Sequence, residues 1–260
     1  MARPAPLDTA LITVGHGSRD PRSAATVAAV AAAVAEARPE VTVRPAFLDL
    51  SAPSVDRVVD ALACAGHTHA VVVPLLLGNA FHARVDLPGL LAGARRRHPM
   101  LHIDRTDVLG PDPRLVRALA DRVRETIPTP SALSIEPRAG NADPRLGVVV
   151  AAVGASSAAA NARTQRVARD LAAHTGWATE IGFATTEPGV PEARDRLYAR
   201  GVDRVVVAHY FLAPGLLTDR IAAATPDLAH TPALGTHPAL VDLVWDRYDS
   251  VRGAARALSA

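Results

Sequence analysis

The chain spells one pattern twice. "VGHGSRD" at 14–20, "AFLDLS" at 46–51 and "AVVVPLLL" at 70–77 come in the same order as "VGASS" at 153–157, "IGFATT" at 181–186 and "RVVVAHYF" at 204–211. Placing Ser18 on Ser156, Phe47 on Phe183 and Val71–Val73 on Val205–Val207 gives offsets of 138, 136 and 134 residues. An internal repeat of this length fixes the architecture before any single element is read, because each copy must form its own core. Within each copy, short continuous apolar runs alternate with helix-like stretches, the signature of parallel strands covered on both faces. The first copy reads as strands at 11–14, 41–48, 70–77 and 101–106, with helices at 23–37, 54–65, 86–97 and 113–125. Ser54 caps the second of these helices and Gly66 ends it. The second copy reads as a strand from 147, a helix at 159–175, a strand at "EIGFATTEP", a helix at 191–200, the strand "RVVVAHYFLAPG" and the helix "LLTDRIAAA". Between the copies, residues 127–146 are rich in Pro, Ser, Gly and Asn and lack periodicity, as a linker does. The expected domains are therefore 8–126 and 147–260, joined by 127–146.

Composition narrows the partners. Aromatic residues are only 3% of the 260 and hydrophobic residues 49%, so the core is built from Ala, Val and Leu. The sequence contains no lysine, and its net charge of +2 is too mild for a nucleic-acid footprint. Arginine forks suit a small molecule bearing carboxylates. The single cysteine, Cys64, excludes an internal disulfide and is expected as a small buried side chain in its helix. "MARPAPLDTA" has no apolar leader core, and no run reaches the roughly 18 apolar residues of a membrane span, so a cytoplasmic protein that does not engage membranes is expected.

In doubly wound sheets ligands bind beyond the carboxyl ends of the strands, where strand order reverses. Three polar residues follow three successive strands there: His16 between two glycines, Asp49 after "AFL", and His82 in "GNAFHARVDLP". Two imidazoles and a carboxylate accept a borderline divalent metal such as Fe2+, Co2+ or Ni2+, and imidazoles also take protons near neutrality. His67 and His69 fall at the amino end of the third strand, and His98, His102, His174, His230 and His237 read as scattered surface residues. Ser18 hydrogen-bonds a ligand or caps the following helix. No phosphate loop of the GxxxxGK[ST] or GxGxxG kind follows a strand, no GxSxG elbow surrounds Ser18, and the GHG lacks the arginine before histidine that a histidine phosphatase needs. A flavodoxin-type FMN domain fits poorly for the same lack of a phosphate loop.

"VGHGSRDP" (14–21), "AFLDLSAPS" (46–54) and "VVVPLLLGNAFHARVDLP" (71–88) resemble the class II tetrapyrrole chelatases, the sirohydrochlorin cobalto- and ferrochelatases, and "EIGFATTEPGVPEA" and "VVVAHYFLAPGLLTDRI" extend the resemblance into the second copy. The resemblance implies an α/β fold of two tandem flavodoxin-like domains facing each other across a cleft. It implies a lyase that inserts Fe2+, Co2+ or Ni2+ into sirohydrochlorin for sirohaem or cobalamin synthesis, with neither ATP nor an organic cofactor. His16 and His82 match the family's active-site histidines, and Asp49 stands where the family has a glutamate one methylene longer. Arg19, Arg22 and Arg84, with Ser18, are the nearest candidates for the substrate's carboxylates. In the second copy Gly154, Thr185 and Leu216 are expected at the places of His16, Asp49 and His82, so that copy is expected to supply a cleft wall, with His209 (aligned with Leu75) and Tyr210 touching the ring. A single chain carrying both copies is expected to act as a monomer. The competing expectation is a carrier that binds metal or tetrapyrrole without turnover.

Overall fold

A computed structural model describes residues 9–78, 86–127, 143 and 145–258, with side chains described as far as residue 252. The chain forms two compact units, each built on a four-stranded parallel sheet. In the first, β1 (Ala10–Gly15) lies between β2 (Val43–Phe47) and β3 (His69–Pro74), and β4 (His102–Arg105) flanks β3, giving the order β2-β1-β3-β4. Every residue of β1 is buried, which is why its sequence, ALITVG, has no polar alternation. Ala10, Ile12 and Val14 pack with the apolar stripes of α2 (Val55–Cys64) and α3 (Leu87–Arg97). Leu11 and Thr13 point to the other face, the face of α1 (Pro21–Ala37). That helix begins where the Asp20 carboxylate accepts the Arg22 amide, with Pro21 in the first turn. Ser54 caps α2 as expected.

The second unit repeats the plan. β5 (Leu146–Ala152), β6 (Ala178–Phe183), β7 (Arg204–His209) and the short β8 (Ala229–His230) run in the order β6-β5-β7-β8, with α5 (Ala158–Thr175), α6 (Val190–Ala199) and α7 (Leu216–Ala224) in the crossovers. Equivalent backbone hydrogen bonds fix how the copies superpose. The Leu48 amide donates to Gly15 and the Asp49 amide to His16, at 3.0 and 3.1 Å; the Ala184 amide donates to Ala152 and the Thr185 amide to Val153, at 2.9 and 3.0 Å. The Leu75 amide donates to Val14 and the Tyr210 amide to Ala151, both at 2.8 Å. The true offsets are thus 137, 136 and 135 residues, and only the Phe47–Phe183 anchor holds. His16 corresponds to Val153, not Gly154, and Leu75 to Tyr210, not His209. The valine run matches at three positions one residue out of register and at two in the true one, so the ladder, not identity, sets the alignment.

The units do not follow the segments 8–126 and 147–260. α4 (Pro113–Thr126) packs in the second unit, against α5 and β7, whereas residues 240 onward of α8 (Pro238–Leu258) pack in the first. On α8, the Trp245 indole donates to the Val34 carbonyl at 3.2 Å and the Tyr248 hydroxyl to the Thr9 carbonyl at 3.3 Å. Arg38 stacks on the Trp245 ring at 4.4 Å and holds Asp249 with two bonds of 2.8 and 2.7 Å. Most of the linker 127–146 lies outside the described residues. Cys64 is exposed, contrary to expectation. The buried stripe of α2 is Val55, Val58, Val59 and Leu62, and a residue two beyond Leu62 falls on the far side of the helix. Among the described residues no helix is long and apolar enough to cross a membrane.

Candidate functional site

The order β2-β1-β3-β4 reverses direction at β1, so a ligand crevice is expected beyond the carboxyl ends of β1 and its neighbours. His16 is the first residue past β1 and is exposed; Asp49 lies two past β2 and is also exposed. The Asp49 amide donates to the His16 carbonyl at 3.1 Å, which ties the two backbones together just past both strands. Asp49 accepts the amide of Leu50 on its own Oδ1 at 2.8 Å, which steers the carboxylate. The third candidate ligand, His82, and the neighbouring Arg84 lie outside the described residues.

The glycines around His16 have separate reasons. A Cβ at Gly15 would meet Val27 Cγ2 at 3.0 Å, so this glycine lets α1 pack close to β1. Gly17 has φ +93, and a Cβ there would lie 1.6 Å from the Asp49 carbonyl oxygen. It is thus the point where the His16 turn and the Asp49 loop touch. Gly17→Ala is expected to cost about 3 kcal/mol and to separate His16 from Asp49. Gly66→Ala, with a similar φ of +88 and no atom within 4 Å, is the control. Denaturant titration should give it only about 1 kcal/mol, the conformational cost alone.

Ser51, which the sequence reading passed over, locks the same junction. Its Oγ accepts from the Ser18 amide at 3.1 Å and donates to the Ser18 carbonyl at 3.0 Å. The Ser18 hydroxyl accepts the Asp20 amide at 3.0 Å, so it shapes the turn while Asp20 caps the helix. The Arg22 guanidinium is committed to Asp20 by contacts of 2.6–3.2 Å, and these hydrogen bonds hold the Asp20 carboxyl below its ordinary range. Of the arginine candidates described, Arg22 is thus engaged within the turn, while Arg19 is exposed on it.

The same edge of the second unit keeps the backbone and changes the chemistry. Gly154 has φ +88 and takes the place of Gly17; Val153, 45% exposed, takes that of His16; Thr185 takes that of Asp49 and donates its hydroxyl to the Val153 carbonyl at 2.8 Å. Asn161 from α5 grips the amide and carbonyl of Ala155, both at 2.8 Å, doing for this turn what Ser51 does for the other. Leu216, at the start of α7, is 67% exposed. His209 and Tyr210, expected to touch a ligand, are buried to 4% and 5% exposure.

His209, itself buried, is paired with the half-buried His230. His230 Nε2 bonds the Thr225 carbonyl at 3.0 Å, and His230 Nδ1 lies 3.2 Å from His209 Nε2, with the rings stacked at 5.3 Å. His98, His230 and His237 are all half-buried rather than fully exposed: His98 bonds Asp60 at 2.6 Å, and His237 accepts the Ala239 amide at 3.2 Å at the start of α8. Burial, with the neighbouring His230, pushes His209 down to about 4. Its unfolded-state value is near 6.5, so the unfolded chain binds the extra proton first as pH falls. Stability is therefore complete above about 6.5 and falls by up to about 3 kcal/mol as pH drops toward 4. His209→Gln, which donates the same hydrogen bond without titrating, should flatten this slope in urea midpoints measured across that range.

The family model described as CbiX matches residues 10–126 and 147–251. A sirohydrochlorin cobaltochelatase of Priestia megaterium is 26% identical over 213 residues, 81% of this chain and 66% of that protein. A sirohydrochlorin ferrochelatase of Bacillus subtilis is 32% identical over 137 residues, 52% of each chain. The chain thus spans just under two thirds and about half of these relatives' lengths. Among solved structures, SirB from Bacillus subtilis with Fe3+ superposes with a TM-score of 0.74 at 21% identity, covering 96% of this chain and 98% of that one, which shows a shared fold.

Proposed function

The chain belongs to the CbiX family, and from that premise we propose that it inserts a divalent metal, Fe2+ or Co2+, into the metal-free tetrapyrrole sirohydrochlorin, a lyase reaction without ATP. The observation that carries the proposal is the pairing of His16 with Asp49 just past β1 and β2, beside the reversal of strand order. Insertion trades M2+ for two pyrrole N–H protons, so the site must hold an ion loosely and accept protons. His16 supplies an accessible imidazole able to do both, Asp49 supplies negative charge beside it, and His82 is assigned as the second imidazole. An open site at an exposed edge suits an ion that must leave for the ring, unlike a closed structural site. Arg19 and the proposed rim arginine Arg84 offer bidentate partners to the carboxylates of the macrocycle. The place of the reaction is proposed as the cytoplasm.

Anaerobic incubation with sirohydrochlorin and Fe2+, Co2+ or Ni2+ separately, followed by the absorption change of the ring, tests the activity. Many product molecules per protein with Fe2+ or Co2+ support it. A yield that stops at one per protein would instead mark a carrier.

A further inference from the structure

The sheet of the first unit bears a second set of metal-ligating side chains at its opposite end. β3 and β4 both begin with histidine, and their parallel register sets His69 directly beside His102. Asp104, two residues further along β4, falls on the same face by the two-residue period of a strand. This is the face turned away from α2 and α3, since Ala70, Val72 and Ile103 point into that core. His69 Nε2 lies 2.8 Å from Asp104 Oδ2, and His102 Nε2 lies 3.2 Å from Asp104 Oδ1. The imidazole centroids are 5.0 Å apart at 63°, and one donor atom from each residue lies within 4.8 Å of the others.

We propose that His69, His102 and Asp104 form a second divalent-cation site, for Zn2+, Co2+ or Ni2+, distinct from the His16 edge. Two imidazoles and one carboxylate match the borderline ions of this class, with water completing the coordination. A tetrahedral ion with bonds of about 2.0–2.1 Å holds its donors roughly 3.4 Å apart, so the present arrangement needs only side-chain adjustments of about 1 Å. The second nitrogen of His69 is also provided for. Nδ1 faces the buried Thr9 hydroxyl at 3.4 Å, the kind of partner that fixes a ligating imidazole with Nε2 toward the metal. β4 is the edge strand, and the His102 side chain is 69% exposed, so an ion has a path from solvent. With strands rising about 3.3 Å per residue, the site lies roughly 20 Å from the His16 edge, too far to share ligands with it.

The test uses the full chain carrying His16→Ala and His82→Ala, which silence the other edge. It is titrated with cobalt chloride at neutral pH, with bound metal counted by equilibrium dialysis and the visible absorption recorded. One equivalent of Co2+ with ligand-field bands is expected. Binding and bands should vanish when either His102→Ala or Asp104→Asn is added, while the far-ultraviolet circular dichroism stays unchanged. Failure of the starting variant to bind Co2+, or binding that survives both added substitutions, overturns the proposal. Because this readout involves no tetrapyrrole, it stands or falls independently of the chelatase reading.

Discussion

A chain ending at residue 237 should lose the fold of its first unit, although the deleted helix belongs by sequence to the second copy. α8 brings Leu240, Leu243, Val244, Trp245 and Tyr248 into the core, each at 4% exposure or less. Burial of a large apolar side chain contributes about 1.5–3 kcal/mol, so together these residues supply on the order of 10 kcal/mol. That equals the whole stability of a typical domain, about 5–15 kcal/mol. The truncation also removes the hydrogen bonds from Trp245 to Val34 and from Tyr248 to Thr9, leaving two buried carbonyls without these donors. Hydrogen exchange read by mass spectrometry should show residues 9–110 losing protection while α5, β5 and β6 keep theirs. Trp245→Ala, which removes one anchor and leaves the chain whole, should lower the stability of the same segment by about 3–5 kcal/mol. Equal protection of both units in the truncated chain would show that α8 is dispensable. By the same reasoning, a fragment covering 147–260 should be unstable, because it lacks α4 and the buried Leu115, Val116, Leu119 and Val123.

How far the sequence foretells this molecule depends on the kind of interaction concerned. Continuous apolar runs such as ALITVG and LGVVVAA announce strands buried on both faces, and both sheets follow from them. The pairing of His16 with Asp49 was legible because both follow strands in a parallel sheet, whose carboxyl ends lie on one edge. The copy register was not, since Val71–Val73 matches Val205–Val207 at three positions but the residues one further on at only two, and the ladder bonds select the latter. The exchange of α4 and α8 is a choice of partner sheet, and an amphipathic stripe carries no address. His102 looked like a scattered surface residue because its relation to His69 exists only across the β3–β4 register. His209 and Tyr210 looked like ligand contacts because they end a strand; burial shows them to be core. Ser51 and Asn161 show one task, clamping the turn after the central strand, done from different elements in the two copies. That substitution leaves no trace in a linear alignment.

The most direct measurement follows from the comparison of the two copies. Val153 occupies in the second unit the backbone position that His16 occupies in the first, with the same ladder bond and the same left-handed glycine after it. His16→Val therefore installs a side chain that this turn already accommodates and removes only the imidazole. The variant should keep the melting temperature of the wild type. Its initial rate of Co2+ or Fe2+ insertion into sirohydrochlorin should fall by about 100-fold or more, the usual contribution of a positioned proton acceptor. A folded His16→Val protein that inserts metal at the wild-type rate would contradict the assignment of His16, and with it the site described at the end of β1.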